Sequence, residues 1–176
     1  MKKDVFIEHM IKQKKTKKQI MIRVLTVFGA VIMAVFPILL MMVIPENFLP
    51  SFPLSIAAAI WLSRVIFRHT TYEFEYIITN GEMDVDRIAG KNSRKRILTV
   101  NCKSFDILAP YKEAYAAEYN SKTIAKRIDA SKSPKSPGRY FAVFNDKNGL
   151  RTLLIFEPNE RMMEVFRIYI ARKIKG

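Results

Sequence analysis

The chain is poor in the residues on which most catalytic sites are built. Its 176 residues include one cysteine, two histidines, one tryptophan and six glycines. No glycine-rich run is present to cradle a phosphate. His69 stands at the end of an apolar region, and Cys102 has no obvious histidine partner along the sequence. A lone thiol within a strand-like segment reads as a small core residue, and it agrees with a reducing compartment. Acids are scarce as well: 16 Asp and Glu against 30 Lys and Arg leave a net charge of +14. A nucleic-acid-binding domain concentrates such an excess on one folded face. Here it is divided between an N-terminal tail, with seven lysines in the first 18 residues, and a mixed-charge remainder.

Charge is nearly absent from residues 20–67, which hold Arg23, Arg64 and a single acid, Glu46. Within them, "VLTVFGAVIMAVFPILLMMVI" (24–44) is long enough, at about 1.5 Å per residue, to cross a hydrocarbon core of roughly 30 Å. Pro37 is expected to kink that helix. "PENFLPSFP" (45–53) reads as a tight turn, and "LSIAAAIWLSRVIF" (54–67) as a second, shorter span with Arg64 snorkelling to the interface. Ala30 and Ala34, and Ser55 and Ala59, have the four-residue spacing that allows close helix approach. The run is too long for a signal peptide, and the small residues Ala57–Ala59 lie well beyond its end. Lysines before the first helix, none in the turn, and Arg64 and Arg68 at the close of the second place both termini in the cytoplasm.

These features divide the chain into a basic cytoplasmic segment (1–19), a two-helix transmembrane hairpin (20–68, helices about 20–45 and 48–68) and a cytoplasmic domain (69–176). In the first segment, Phe6, Ile7, Met10 and Ile11 fall at helical spacing beside lysines. That pattern suits either a short helix in the headgroup layer or an unstructured positive flank.

The domain opens with alternation on both sides of Asn80-Gly81, the signature of a two-residue hairpin turn. The implied register sets Met83 against Ile78, Val85 against Tyr76, and Glu75 against Asp86. The last is a like-charge pair for which Arg94 and Arg96 of "SRKRILTV" are the natural neutralisers. Further strands are expected at 103–109, 123–130, 139–146 and 150–157, seven in all from Tyr72. "APYKEAYAAEYNSK" reads as a loop or one helical stretch, and "SKSPKSPG" (131–138) as a polar loop. Pro158 and Asn159 open a final helix. Its apolar stripe, Met163, Phe166, Ile170 and Ile174 with Met162, Val165 and Tyr169 beside it, is expected to cover one opening of the sheet. Seven antiparallel strands and a capping C-terminal helix give a membrane-anchored α+β protein with a pleckstrin-homology-like (PH-like) roll.

"DVFIE" (4–8), "YEFEYIITNGEMDVDRI" (72–88) and "IFEPNERM" (155–162) resemble an uncharacterised family of small Gram-positive bacterial membrane proteins with two transmembrane helices and a PH-like domain. The resemblance covers nearly the whole chain and implies architecture and location. No catalytic or cofactor-binding residue comes with it. Glu82, Asp84 and Asp86 alternate along one strand, where a hard-metal site competes with the ordinary solvent face of a hairpin; no metal and no cofactor is expected. Two binding modes remain for a non-enzymatic module. One is capture of a membrane or cytoplasmic protein at a sheet edge or in the groove beside the final helix. The other is contact with anionic lipid through Lys91, Arg94, Lys95, Arg96, Lys132, Lys135 and Arg139.

Overall fold

The computed structural model describes residues 5–43, 51–69, 72–90 and 93–176. They form two compact units, Lys15–Tyr72 with Ala89–Asn92, and Met1–Lys14 with Glu73–Ile88 and Ser93–Gly176.

The first unit is built on two helices, α1 (Lys17–Val43) and α2 (Ser51–His69). Pro37 lies inside α1, which continues past it to Val43. Ser51–Pro53 belong to the start of α2, within the 48–68 span expected for the second helix rather than in a turn reaching residue 53, and there a proline's missing N–H has no intrahelical acceptor to lose. The rest of that turn, 45–50, lies outside the described residues. The Arg23 guanidinium sits 5.3 Å from the centre of the Phe67 ring, so the N-terminal end of α1 lies beside the C-terminal end of α2. Thr26, Gly29, Ala30, Ala59 and Ser63 line the seam between the helices. The hydroxyls of Thr26 and Ser63 are satisfied within their own helices, donating to the carbonyls of Ile22 (2.8 Å) and Ala59 (2.7 Å).

Among the described helices, one is long and apolar enough to cross a membrane: Lys17–Leu40 of α1, 24 residues, none of them buried. Leu25, Phe28 and Phe36 stand open over more than half of their surface. The second helix is shorter, 19 residues, and carries Arg64, Arg68 and His69 toward its C-terminal end.

Among the described residues the second unit contains eight strands rather than seven. Phe6–Lys12, expected as a membrane-lying helix or loose flank, is a strand, β1. It pairs antiparallel with β2 (Tyr72–Thr79), with Ile7 opposite Ile78, His9 opposite Tyr76 and Ile11 opposite Phe74. The helical spacing of Phe6, Ile7, Met10 and Ile11 is overridden by a long-range partner some 65 residues away that offers an apolar face to Ile7 and Ile11. His9 is half-buried beside Tyr76, and this burial holds its pKa below the ordinary histidine value despite the attraction of Glu157.

β2, β3 (Glu82–Ala89) and β4 (Ser93–Asn101) extend the sheet in the order β1-β2-β3-β4. Asn80 and Gly81 both take positive φ, 50° and 88°, as the two-residue turn requires. The second sheet runs β5-β7-β8-β6, from β5 (Phe105–Pro110), β6 (Lys126–Asp129), β7 (Tyr140–Asn145) and β8 (Arg151–Phe156). Its pairs are antiparallel except one: the four-residue β6 runs parallel to β8. Alternation reveals a strand but not its direction, and the long 130–139 connection leaves the chain free to return from either end.

The core lies against both sheets and under α4 (Glu160–Ile170). Phe74, Tyr76, Val85, Phe156 and Phe166 are all buried. Asn159 caps α4, its side chain accepting from the Met162 N–H at 2.9 Å. The buried stripe is Met162, Val165, Phe166 and Ile170, with Met163 and Tyr169 at its margin. The helix ends at Ile170, earlier than its apolar pattern implies, and Ile174 leaves it to bridge Leu108 of β5. β7 and β8 are buried on both faces, because Tyr111, Tyr115 and Tyr119 of the 111–119 segment cover Phe141, Val143, Leu153 and Ile155. That segment contains the single helical turn α3 (Ala116–Tyr119).

Candidate interaction surfaces

The hairpin face expected to meet water carries instead a sheltered charge cluster. Glu75 and Asp86 are 1% and 2% exposed. One guanidinium, that of Arg94, contacts both, pairing with Glu75 and standing 3.3 Å from Asp86. Arg96 reaches Asp86 at 3.0 Å and Asp84 at 3.1 Å, and the Thr99 hydroxyl donates to Asp84 at 2.6 Å. Charge-assisted bonds of this kind offset the cost of desolvating two carboxylates, which unpaired would amount to several kcal/mol each. Both arginines keep about half of their side-chain surface open to solvent. They are nonetheless already neutralised, as the like-charge pairing of Glu75 and Asp86 requires. Asp84 and Asp86 are thus held by Arg96, and among the described residues no group of three His, Cys, Asp or Glu side chains has the geometry to hold a metal ion.

The second basic segment is a folded loop. Asp129 accepts from the Ser131 N–H (2.9 Å) and hydroxyl (2.6 Å). Glu157 takes the Lys132 N–H (2.7 Å) and the Ser136 hydroxyl (2.9 Å). Arg139, expected among the surface contacts, is 9% exposed. Its guanidinium donates to the Pro134 carbonyl at 2.6 Å, pairs with Asp129 at 3.3 Å and lies over the Tyr111 ring at 4.2 Å. It holds the loop together and is not available to a headgroup, because a guanidinium so enclosed keeps its partners. Lys95, Lys132 and Lys135 are exposed, and Lys91 lies outside the described residues. Of the candidate basic contacts, the structure therefore brings Arg94 and Arg96 together over acids, buries Arg139, and leaves Lys95, Lys132 and Lys135 at the surface.

The two docking places expected for a peptide differ in state. The outer edge of β5 is partly taken by the chain's own C-terminus, since Ile174 bridges Leu108 and the Lys175 N–H donates to the Leu108 carbonyl at 2.8 Å. Beside the start of α4 a cleft of ≈ 390 Å³ is open, lined by Tyr140, Pro158, Met163, Glu160, Glu164 and Arg167. Cys102 is fully buried, and burial pushes its thiol up to about 12, so it is inert as a nucleophile at neutral pH.

Two four-stranded sheets closed by a C-terminal helix keep the PH-like outline that the sequence implies, with one strand more than expected and one parallel pair. The chain matches the family model described as Bacterial PH-like domain (DUF6106) over residues 3–176. The chain belongs to this family. The match begins ahead of β1 and runs through α1 and α2, so the PH-like family pattern includes the strand that precedes the apolar helices. No curated protein and no solved structure matches the chain. What this membership establishes is the PH-like fold.

The partners that organise this PH-like unit were only partly visible in the sequence. Glu75, Asp86, Arg94 and Arg96 follow from hairpin register. The roles of Asp129, Glu157 and Tyr111 in ordering the 131–139 loop had no local signal, because each acts across a distance in sequence.

Proposed function

We propose that this chain is a non-enzymatic, membrane-tethered PH-like module that serves as an interaction or scaffold component at the cytoplasmic face of the cell membrane. The observation that carries this reading is the covalent continuity of an apolar helix with open faces, Lys17–Leu40, and a domain of the bacterial PH-like family. The antiparallel packing of α2 on α1 supports a hairpin that enters and leaves the membrane on the same side, with the seven lysines ahead of α1 setting that side as cytoplasmic. Protein capture takes precedence over lipid recognition because Arg94, Arg96 and Arg139 are engaged with acids of the chain itself. Contact with anionic lipid rests on Lys95, Lys132 and Lys135, which are exposed; for a tethered domain about 1 kcal/mol per lysine suffices to orient it.

Reporters fused at either terminus are expected in the cytoplasm, and one inserted at Glu46 or Asn47 outside. A cysteine at position 47 that reacts only with reagent supplied from the cytoplasmic side would contradict the hairpin. Proximity labelling from a tag after Gly176 is expected to recover a recurring protein partner in intact cells; lipid vesicles that bind the purified chain in a salt-sensitive way, with no such partner, would favour the lipid reading instead.

A further inference from the structure

We infer that the open edge of β1 is a pairing surface for a second copy of this chain, in antiparallel register centred on Met10. The edge is defined by hydrogen-bond alternation. The Asn80 N–H donates to the Val5 carbonyl at 3.0 Å, which makes Val5 and Asn80 a bonded pair. By alternation the bonded pairs that follow are Ile7 with Ile78, His9 with Tyr76, and Ile11 with Phe74. The backbone groups of Phe6, Glu8, Met10 and Lys12 therefore point away from β2, and among the described residues nothing bonds them. Beyond them the edge is closed, because the Lys14 N–H donates to the Lys132 carbonyl at 2.7 Å. A row of unpaired groups flanked by exposed apolar side chains is a template for another strand. Phe6 is 65% and Met10 46% exposed, on the sheet face opposite the core.

The charges select the occupant. When two β1 strands lie antiparallel with Met10 against Met10, Glu8 of each copy stands opposite Lys12 of the other, giving two attractive cross-strand pairs around an apolar centre. Centring the pair on Glu8 would set two carboxylates face to face, which disfavours that alternative. The ladder spans Glu8–Lys12 and is short, so it relies on the membrane to confine the copies and raise their effective concentration. This pairing goes beyond the proposed function, rests on its membrane tether, and does not depend on which heterologous partner or lipid the module binds.

The test uses the full chain in membranes, with cysteine placed on the edge. Bonded neighbours across an antiparallel pair have Cα atoms about 5.5 Å apart, within disulfide range. Met10→Cys is expected to give a covalent dimer under mild oxidation, whereas wild type, with its buried Cys102, is not. Glu8→Cys alone is expected to stay monomeric, since its two copies lie about 13 Å apart along the ladder. A mixture of Glu8→Cys and Lys12→Cys chains should cross-link. Adding Glu8→Lys to Met10→Cys should weaken dimerisation about tenfold by turning both ion pairs repulsive, and adding Lys12→Glu as well should restore it. A Met10→Cys chain that remains monomeric, or cross-links no better than Glu8→Cys, overturns the inference. So does failure of the charge swap to restore cross-linking, and in either case Glu8 and Lys12 would be charges that keep the edge unpaired.

Discussion

Truncating Phe166 to Ala should lower the unfolding free energy of the PH-like unit by about 3–5 kcal/mol. Phe166 is fully buried at the middle of α4, 6.0 Å from the ring of Phe105 and 5.9 Å from that of Phe156, with which it makes an edge-to-face contact at 82°. Phe156 in turn stands edge-on to Tyr76, 5.8 Å away. The ring therefore joins the helix to two strands of the second sheet and, through Phe156, to Tyr76 of the first, and its removal leaves a cavity that the surrounding strands, fixed by their ladders, cannot close. Such a loss is a large part of the 5–15 kcal/mol that stabilises an ordinary domain. Urea unfolding of the full chain in detergent, followed by proteolysis of the PH-like unit, would show a much lower midpoint. Ile168→Ala serves as the control: it lies on the same helix at 73% exposure, and a change within about 0.5 kcal/mol is expected. An unchanged midpoint for Phe166→Ala would mean that α4 does not close the core.

Replacing Arg94 and Arg96 together by Gln should lower the unfolding midpoint clearly, because it strands the buried carboxylates of Glu75 and Asp86. The half-exposed arginines allow some water to compensate, which keeps the expected loss below that for a fully enclosed pair. Adding Glu75→Gln and Asp86→Asn to the same chain should recover most of the loss, since the remaining amides carry no charge to desolvate. This recovery separates the internal role from a headgroup-binding role, in which removal of the arginines would leave stability untouched. Lys95→Gln, at an exposed position between the two, should leave the midpoint where it is.

How far the fold was legible follows from the range of each interaction. The Asn80-Gly81 turn, the Asn159 cap and the seven strands after Tyr72 are local patterns, and all are present at the expected places. The hairpin register was local too, and it was enough to bring Glu75, Asp86, Arg94 and Arg96 together from sequence alone. Their burial was not legible, since alternating acids ordinarily face water. β1 was missed because Phe6, Ile7, Met10 and Ile11 satisfy a helical spacing as well as they do a strand, and its partner lies beyond both apolar helices. The parallel setting of β6 and the burial of Arg139 against Tyr111 and Asp129 likewise depend on contacts that no short window contains. A signal for the double burial of β7 and β8 did exist. The unbroken apolar runs in "YFAVF" and "LLIF", together with Tyr111, Tyr115 and Tyr119 at four-residue spacing, match a sheet covered on both faces.

β1, a strand that precedes the apolar helices, completes the sheet that follows them. Residue-resolved amide hydrogen exchange on the full chain tests this most directly. The account predicts that the amides of Ile7, His9 and Ile11 exchange as slowly as those of Phe74, Tyr76 and Ile78, their partners in β2. Fast exchange throughout Phe6–Lys12, with β2 still protected, would contradict it and return the N-terminal segment to a solvated flank.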